Sequence, residues 1–178
     1  MDSIFDKVNI VLVGTTHPGN IGATARAMKT MNHRNLRLVN PLEFPSAEAS
    51  SRAAGADDVL AECRQFSSLE DAIKDCDLVI GTSARVRGIP WPMILPRDCA
   101  KKISEETYSS VAIVFGKESS GLSNEELQLC NMVLKIPTNS EYNSLNLAAA
   151  VQIICYEICL LITCLLYTSP SPRDATLS

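Results

Sequence analysis

The stretch VLVGTTHPGNIGATARAMK (residues 11–29) sets Gly14 and Gly19 at the spacing of a phosphate-binding loop, between an apolar run and the start of a helix. A Walker loop needs G-x-x-x-x-G-K-[ST], because its lysine reaches the phosphates and its hydroxyl binds magnesium. Asn20 and Ile21 stand at those two places, so both chemical groups are missing. A dinucleotide fingerprint needs G-x-G-x-x-G, and no G-x-G opens this stretch. What survives is a strand, a turn at Pro18 and Gly19, and a helix N-terminus whose free N–H groups can receive an anion. Arg26, nearly two turns into that helix, can face the same cleft, although on this segment alone a solvated helix residue is its plainer reading.

Those residues need elements to hold them. Val8–Val13 is an apolar, β-branched run of the kind found in strands covered on both faces. Asn20 can cap the helix that follows, with Ile21, Ala25, Met28 and Met31 on one face. Residues 35–41 read as a second strand, 46–54 as a short helix ended by Gly55, and 64–66 as a brief strand. A capped helix from Ser68 to Cys76 leads into a strand over 77–81. Residues 85–96, with three prolines and a glycine, read as a loop. A strand over 111–116, a helix capped by Ser123 or Asn124, a last strand over 132–137 and a long apolar helix from near Ser144 complete the chain. The alternation predicts an α/β domain with a mainly parallel sheet and helices on both faces. Ligands bind at the carboxyl ends of such strands, which points to the loops after Val13, Gly81, Gly116 and Ile136.

At 178 residues the chain suits one domain, and 46% hydrophobic with 20% charged residues describes a globular protein. The net charge of −4 and pI near 5.2 give no global support for a nucleic-acid partner, so any such site must be local. Seven cysteines without a C-x-x-C pair indicate neither a disulfide framework nor a zinc cluster. They read as reduced, mostly buried thiols of a cytoplasmic protein. Asp2 and Asp6 take the place of a basic leader region, so no export is expected. One membrane candidate, residues 147–167, is interrupted by Gln152 and Glu157, and no membrane partner is expected.

Four segments together go further. PGNIGATARAMK (18–29), GTSAR (81–85), VFGKESSGLSNEEL (114–127) and IPTNSEYNSLNLAAAVQ (136–152) resemble, in order, the motifs of the SPOUT RNA 2'-O-methyltransferases, and among them most the bacterial TrmJ type. The resemblance implies methylation of a ribose 2'-hydroxyl in tRNA, at position 32 of the anticodon loop (C or U), with S-adenosylmethionine as donor. It also implies a C-terminal trefoil knot and a homodimer whose active site draws on both subunits. The implied cofactor contacts are Thr82, Ser83, Ala84, Gly116, Ile136, Asn143, Ser144 and Leu145. The implied catalytic group is Arg26, with Asn20, Glu118, Ser144 and Asn146 around it. Arginine is a poor base. Its expected work is therefore to bind the adjoining phosphate and polarise the hydroxyl, with the phosphate or a water taking the proton.

RNA contacts are expected from Arg85, Arg87 and Lys117, with Trp91 stacking on a base, and further from Arg34, Arg37, Arg97, Lys101 and Lys102. For Trp91 the alternative is packing into the core or a dimer, and for Glu118 an exposed loop acid. The resemblance runs through AAAVQIICYE, after which the sequence departs from it. The methyltransferase domain is therefore assigned to residues 1–166, and 167–178 to a disordered or non-native tail. Two rivals stay open: an impaired RNA-binding relative, and a nucleotide-dependent α/β enzyme.

Overall fold

All six residues of β1 (Val8–Val13) are buried because the strand lies inside a parallel sheet, between β2 (Asn35–Val39) and β6 (Val111–Phe115). The computed structural model describes residues 3–84, 91–105 and 107–168. Among these, β3 (Arg64–Phe66), β4 (Leu78–Thr82), β5 (Met93–Ile94) and β7 (Met132–Leu134) complete a seven-stranded sheet in the order β3-β2-β1-β6-β4-β7-β5. Every pairing is parallel.

Alternation along the strands supplies two apolar faces. Ile10, Leu12, Ile113 and Leu134 point to one, which is covered by α2 (Pro18–Thr30), α3 (Ala47–Ala53), α4 (Asp57–Glu62), α6 (Pro96–Glu105) and α8 (Leu147–Thr168). Val11, Val13, Val79 and Val114 point to the other, under α5 (Leu69–Ile73) and α7 (Asn124–Gln128). A short α1 (Ile4–Lys7) precedes β1. Gly22 lets α2 and α3 cross in contact, since a Cβ there would overlap the Ala49 carbonyl.

Several expectations shift. Helix α2 begins at Pro18 with His17 as its N-cap, because proline at the first helical position needs no N–H partner. Asn20 is therefore inside the first turn, and its side chain is free for other work. Helices α4 and α6 were not expected from the sequence, and Met93–Ile94 pairs with β7 inside the segment read as loop. Helix α8 starts at Leu147, where the Asn146 side-chain oxygen accepts from Ala148 N at 2.9 Å. It continues to Thr168, into the segment assigned to a tail, and residues 169–178 lie outside the described residues.

Leu147–Tyr167 is, among the described residues, the one stretch of helix long and apolar enough to cross a membrane. Its first half is core: Val151, Ile154 and Cys155 are fully buried. Both polar interruptions are anchors. Gln152 donates to Thr30 Oγ1 on α2 at 3.1 Å, and Glu157 meets Arg97 Nε on α6 at 3.5 Å.

No disulfide joins the seven cysteines, of which only Cys99, Cys130 and Cys155 are buried, and Cys164 is exposed. Burial pushes the Cys99 and Cys130 thiols up to about 12, which makes them inert. No group of three or more metal-ligating side chains occurs among the described residues.

Candidate active site

Strands β6, β4 and β7 are neighbours, and their carboxyl ends open into one cavity of about 510 Å³. Its wall is apolar where Phe115, Leu122, Leu134, Ile136, Leu145 and Leu147 face it, and polar at Ser83, Ser119, Ser120, Thr138 and Asn143. The end of β4 is held to both neighbours: Thr82 Oγ1 donates to the Val114 carbonyl at 2.9 Å, and Ser83 N to the Leu134 carbonyl at 3.1 Å. Gly116 lets the following loop fold back on its strand. A Cβ there would overlap the backbone of Gly121 and Leu122, and the turn closes through Gly121 N to the Lys117 carbonyl at 2.8 Å. Thr82, Ser83, Ala84, Gly116, Ile136, Asn143, Ser144 and Leu145, drawn from three distant segments, all line this cavity.

The turn that resembles a phosphate loop does receive an anion, and the anion is Glu118. Its carboxylate accepts from Thr16 N at 3.0 Å, Thr16 Oγ1 at 3.1 Å, His17 N at 2.9 Å and Asn20 Nδ2 at 3.0 Å. Partial burial opposes ionisation, but the Thr16 and His17 amides and the Asn20 side chain outweigh it and hold the carboxyl at about 2. Asn20 passes the order on, since its Oδ1 accepts from Asn146 Nδ2 at 3.2 Å. Asn146 in turn caps α8. A single chain of hydrogen bonds thus joins the loop after β1, the loop after β6 and the start of α8, and Asn20, Glu118, Ser144 and Asn146 stand together on the cavity.

Arg26 does not join them. It is exposed on α2, does not line the cavity, and among the described residues has no hydrogen bond or ion pair. Six residues on from Asn20, it projects about 240° further round the helix. Lys117 does line the cavity. Trp91 is half-buried and packs against the apolar cluster under α5 and α7, the alternative to base stacking raised above. Arg85 and Arg87 lie outside the described residues.

Arg37 is corrected outright as an RNA contact. It is 6% exposed, donates to the Ala72 carbonyl and forms a two-pronged pair with Asp75 at 2.6 and 2.9 Å. Arg97 is engaged with Glu157. His17 also lines the cavity, and it was not among the residues picked out in the sequence. Its signal was faint: an imidazole one residue before the proline that starts α2.

Residues 7–156 match the SpoU rRNA Methylase family. Over 156 residues the chain is 53% identical to the tRNA (cytidine/uridine-2'-O-)-methyltransferase TrmJ of Photorhabdus laumondii, which is 87% of this chain and 65% of that protein. The chain therefore spans just under two-thirds of that relative's length. A methylase family protein from Haemophilus influenzae superposes with a TM-score of 0.88 at 41% identity, over 97% of this chain and 75% of that one. TrmJ from Z. mobilis gives 0.83 at 36% identity, over 93% and 73%. Four ordered motifs, one cavity built from them and a match over most of the chain agree: the chain belongs to the SpoU rRNA methylase family.

Proposed function

We propose that this chain is an S-adenosylmethionine-dependent tRNA ribose 2'-O-methyltransferase, acting at position 32 of the anticodon loop on C or U, as a cytoplasmic homodimer. The observation that carries the proposal is the convergence of the eight expected cofactor positions on one cavity, with the Glu118–Asn20–Asn146 chain at its edge.

The cavity fits such a cofactor. About 510 Å³ lies in the usual range for small-molecule sites, and the wall offers an apolar slot for adenine with polar groups for an amino-acid end. Lys117 is the only cation among its described lining residues, too few for a polyphosphate. The cofactor supplies an electrophilic methyl group. Leu134, Ile136 and Leu145 would hold it, and the Glu118–Asn20–Asn146 hydrogen bonds would fix the amides of Asn20 and Asn146 where a ribose can meet them. Arg26 binds the adjoining phosphate and polarises the hydroxyl.

The trefoil knot belongs to the same proposal, supported by loops from β4, β6 and β7 meeting although the sheet takes these strands out of chain order. The homodimer is supported by Arg26, which faces away from its own cavity, and by the apolar end of α8. There Leu165, Leu166 and Tyr167 are 51%, 73% and 85% exposed, a surface a second copy can cover. No membrane is invoked, since Gln152 and Glu157 hold α8 to α2 and α6. In titration calorimetry S-adenosylhomocysteine is expected to bind, and ATP and NAD are not. Preferential binding of NAD or ATP would replace this function with the nucleotide-dependent alternative.

A further inference from the structure

Methyl transfer to a ribose oxygen needs a group to take the hydroxyl proton, and few of the cavity's side chains are able to. Among the described lining residues three carry ionisable side chains: His17, Lys117 and Glu118. Lysine as an ammonium has donors only. Glu118 is ionised down to a pH of about 2, and its oxygens are already committed to Thr16, His17 and Asn20. Arginine has no acceptor, and Asn, Ser and Thr are not bases at neutral pH.

Imidazole is the side chain that ordinarily offers a free basic nitrogen at neutral pH. The imidazole of His17 has no hydrogen-bond partner among the described residues and makes no cap bond to α2. Its backbone is nonetheless fixed, by His17 N to Glu118 at 2.9 Å and by Asn20 N to the His17 carbonyl at 3.0 Å. An exposed ring without a partner, on an anchored backbone at the edge of the cavity, fits a general base.

We infer that His17 is a catalytic residue, the acceptor of the ribose 2'-hydroxyl proton; this rests on the methyl transfer proposed above. As a lone pair of the 2'-oxygen forms the new bond to the methyl carbon, the O–H proton moves to the unprotonated ring nitrogen of His17 and the O–H pair stays on oxygen. The methyl–sulfur pair stays on sulfur, so the sulfonium leaves as a neutral thioether. The imidazolium then gives its proton to water, and the enzyme is restored.

Two variants test this, with wild type run alongside. Asparagine is a better N-cap than histidine, so His17→Asn keeps α2 intact. It is expected to lower kcat about 10²- to 10⁴-fold, the usual worth of a positioned base, with the Kd for S-adenosylhomocysteine and for tRNA unchanged within about threefold. His17→Ala is expected to show the same loss and to be partly rescued by added imidazole. Turnover of His17→Asn within about threefold of wild type would overturn the inference, as would a loss that imidazole does not rescue and that follows weakened tRNA binding. If wild type itself transfers no methyl group, it is the methyltransferase proposal that fails.

Discussion

Glu118→Gln is expected to reduce methyl transfer to tRNA about 100-fold, the scale of loss that a misplacement near 1 Å produces, while S-adenosylhomocysteine affinity stays within a few-fold. Glutamine matches the shape of glutamate but keeps one acceptor oxygen and adds two donors. Placed where Oε2 now accepts from Thr16, His17 and Asn20, that oxygen leaves the new NH₂ pointing at Thr16 N, which donates to Oε1 at 3.0 Å. Two donors then face each other, and the turn must move, taking His17 and Asn20 with it. The affinity survives because Thr82, Gly116 and Ile136 do not depend on this carboxylate.

The same variant changes the response to acid, and its direction follows from the lowered pKa. An ionised Glu118 stabilises the fold fully above its ordinary value of 4.5, and that stability is lost as pH falls towards about 2. Asp75, held at about 2 chiefly by its hydrogen bond to Arg37, acts in the same window. Urea midpoints measured from pH 5 to 2 should therefore fall less steeply in Glu118→Gln than in wild type, without becoming flat. An unaltered slope together with normal turnover would mean that the carboxylate is an ordinary loop acid.

Arg26→Ala is expected to abolish turnover on tRNA without weakening S-adenosylhomocysteine, since Arg26 stands outside its own cavity. Arg26→Lys should recover little, because lysine lacks the planar fork that grips a phosphate. The decisive form of the experiment mixes subunits. Gly116→Ala forces the backbone of Gly121 and Leu122 away from the strand end and so closes the cofactor cavity. In a two-fold dimer whose sites are shared, subunits carrying Arg26→Ala and Gly116→Ala combine to give one intact site in each mixed dimer. Neither variant is active alone, and an equal mixture recovers about a quarter of the wild-type rate. If each site were complete within one chain, the mixture would stay inactive; circular dichroism of Gly116→Ala checks that it has folded.

The central strands were legible because burial on both faces leaves an apolar run that periodicity detects, as in β1 and β6. The cavity's position followed from the rule that ligands lie at the carboxyl ends of parallel strands, and its residues from four motifs in register. The ion at the turn after β1 was anticipated in kind but not in identity. Its source, Glu118, is 102 residues from Thr16, and no local pattern encodes that pairing. Asn20 looked like a cap because cap residues and cavity amides share their chemistry, and the proline at the first helical position decided against it.

Arg37 was misplaced, and Trp91 was left between base stacking and core packing, for a common reason. A charge or an aromatic ring reads as surface until its partner is known, and those partners, Asp75 and the cluster around Leu127 and Val133, come from elsewhere in the chain. Helix α4 was missed because it is only six residues long, and α6 because it follows a proline-rich stretch directly.

Incubation of the full chain with methyl-labelled S-adenosylmethionine and total tRNA, followed by mapping of ribose methylation, tests the central claim most directly. Label in a 2'-O-methyl group at position 32, on C or U, is the predicted result. Tight cofactor binding with no label in tRNA, or label on a base instead of a ribose, would contradict it.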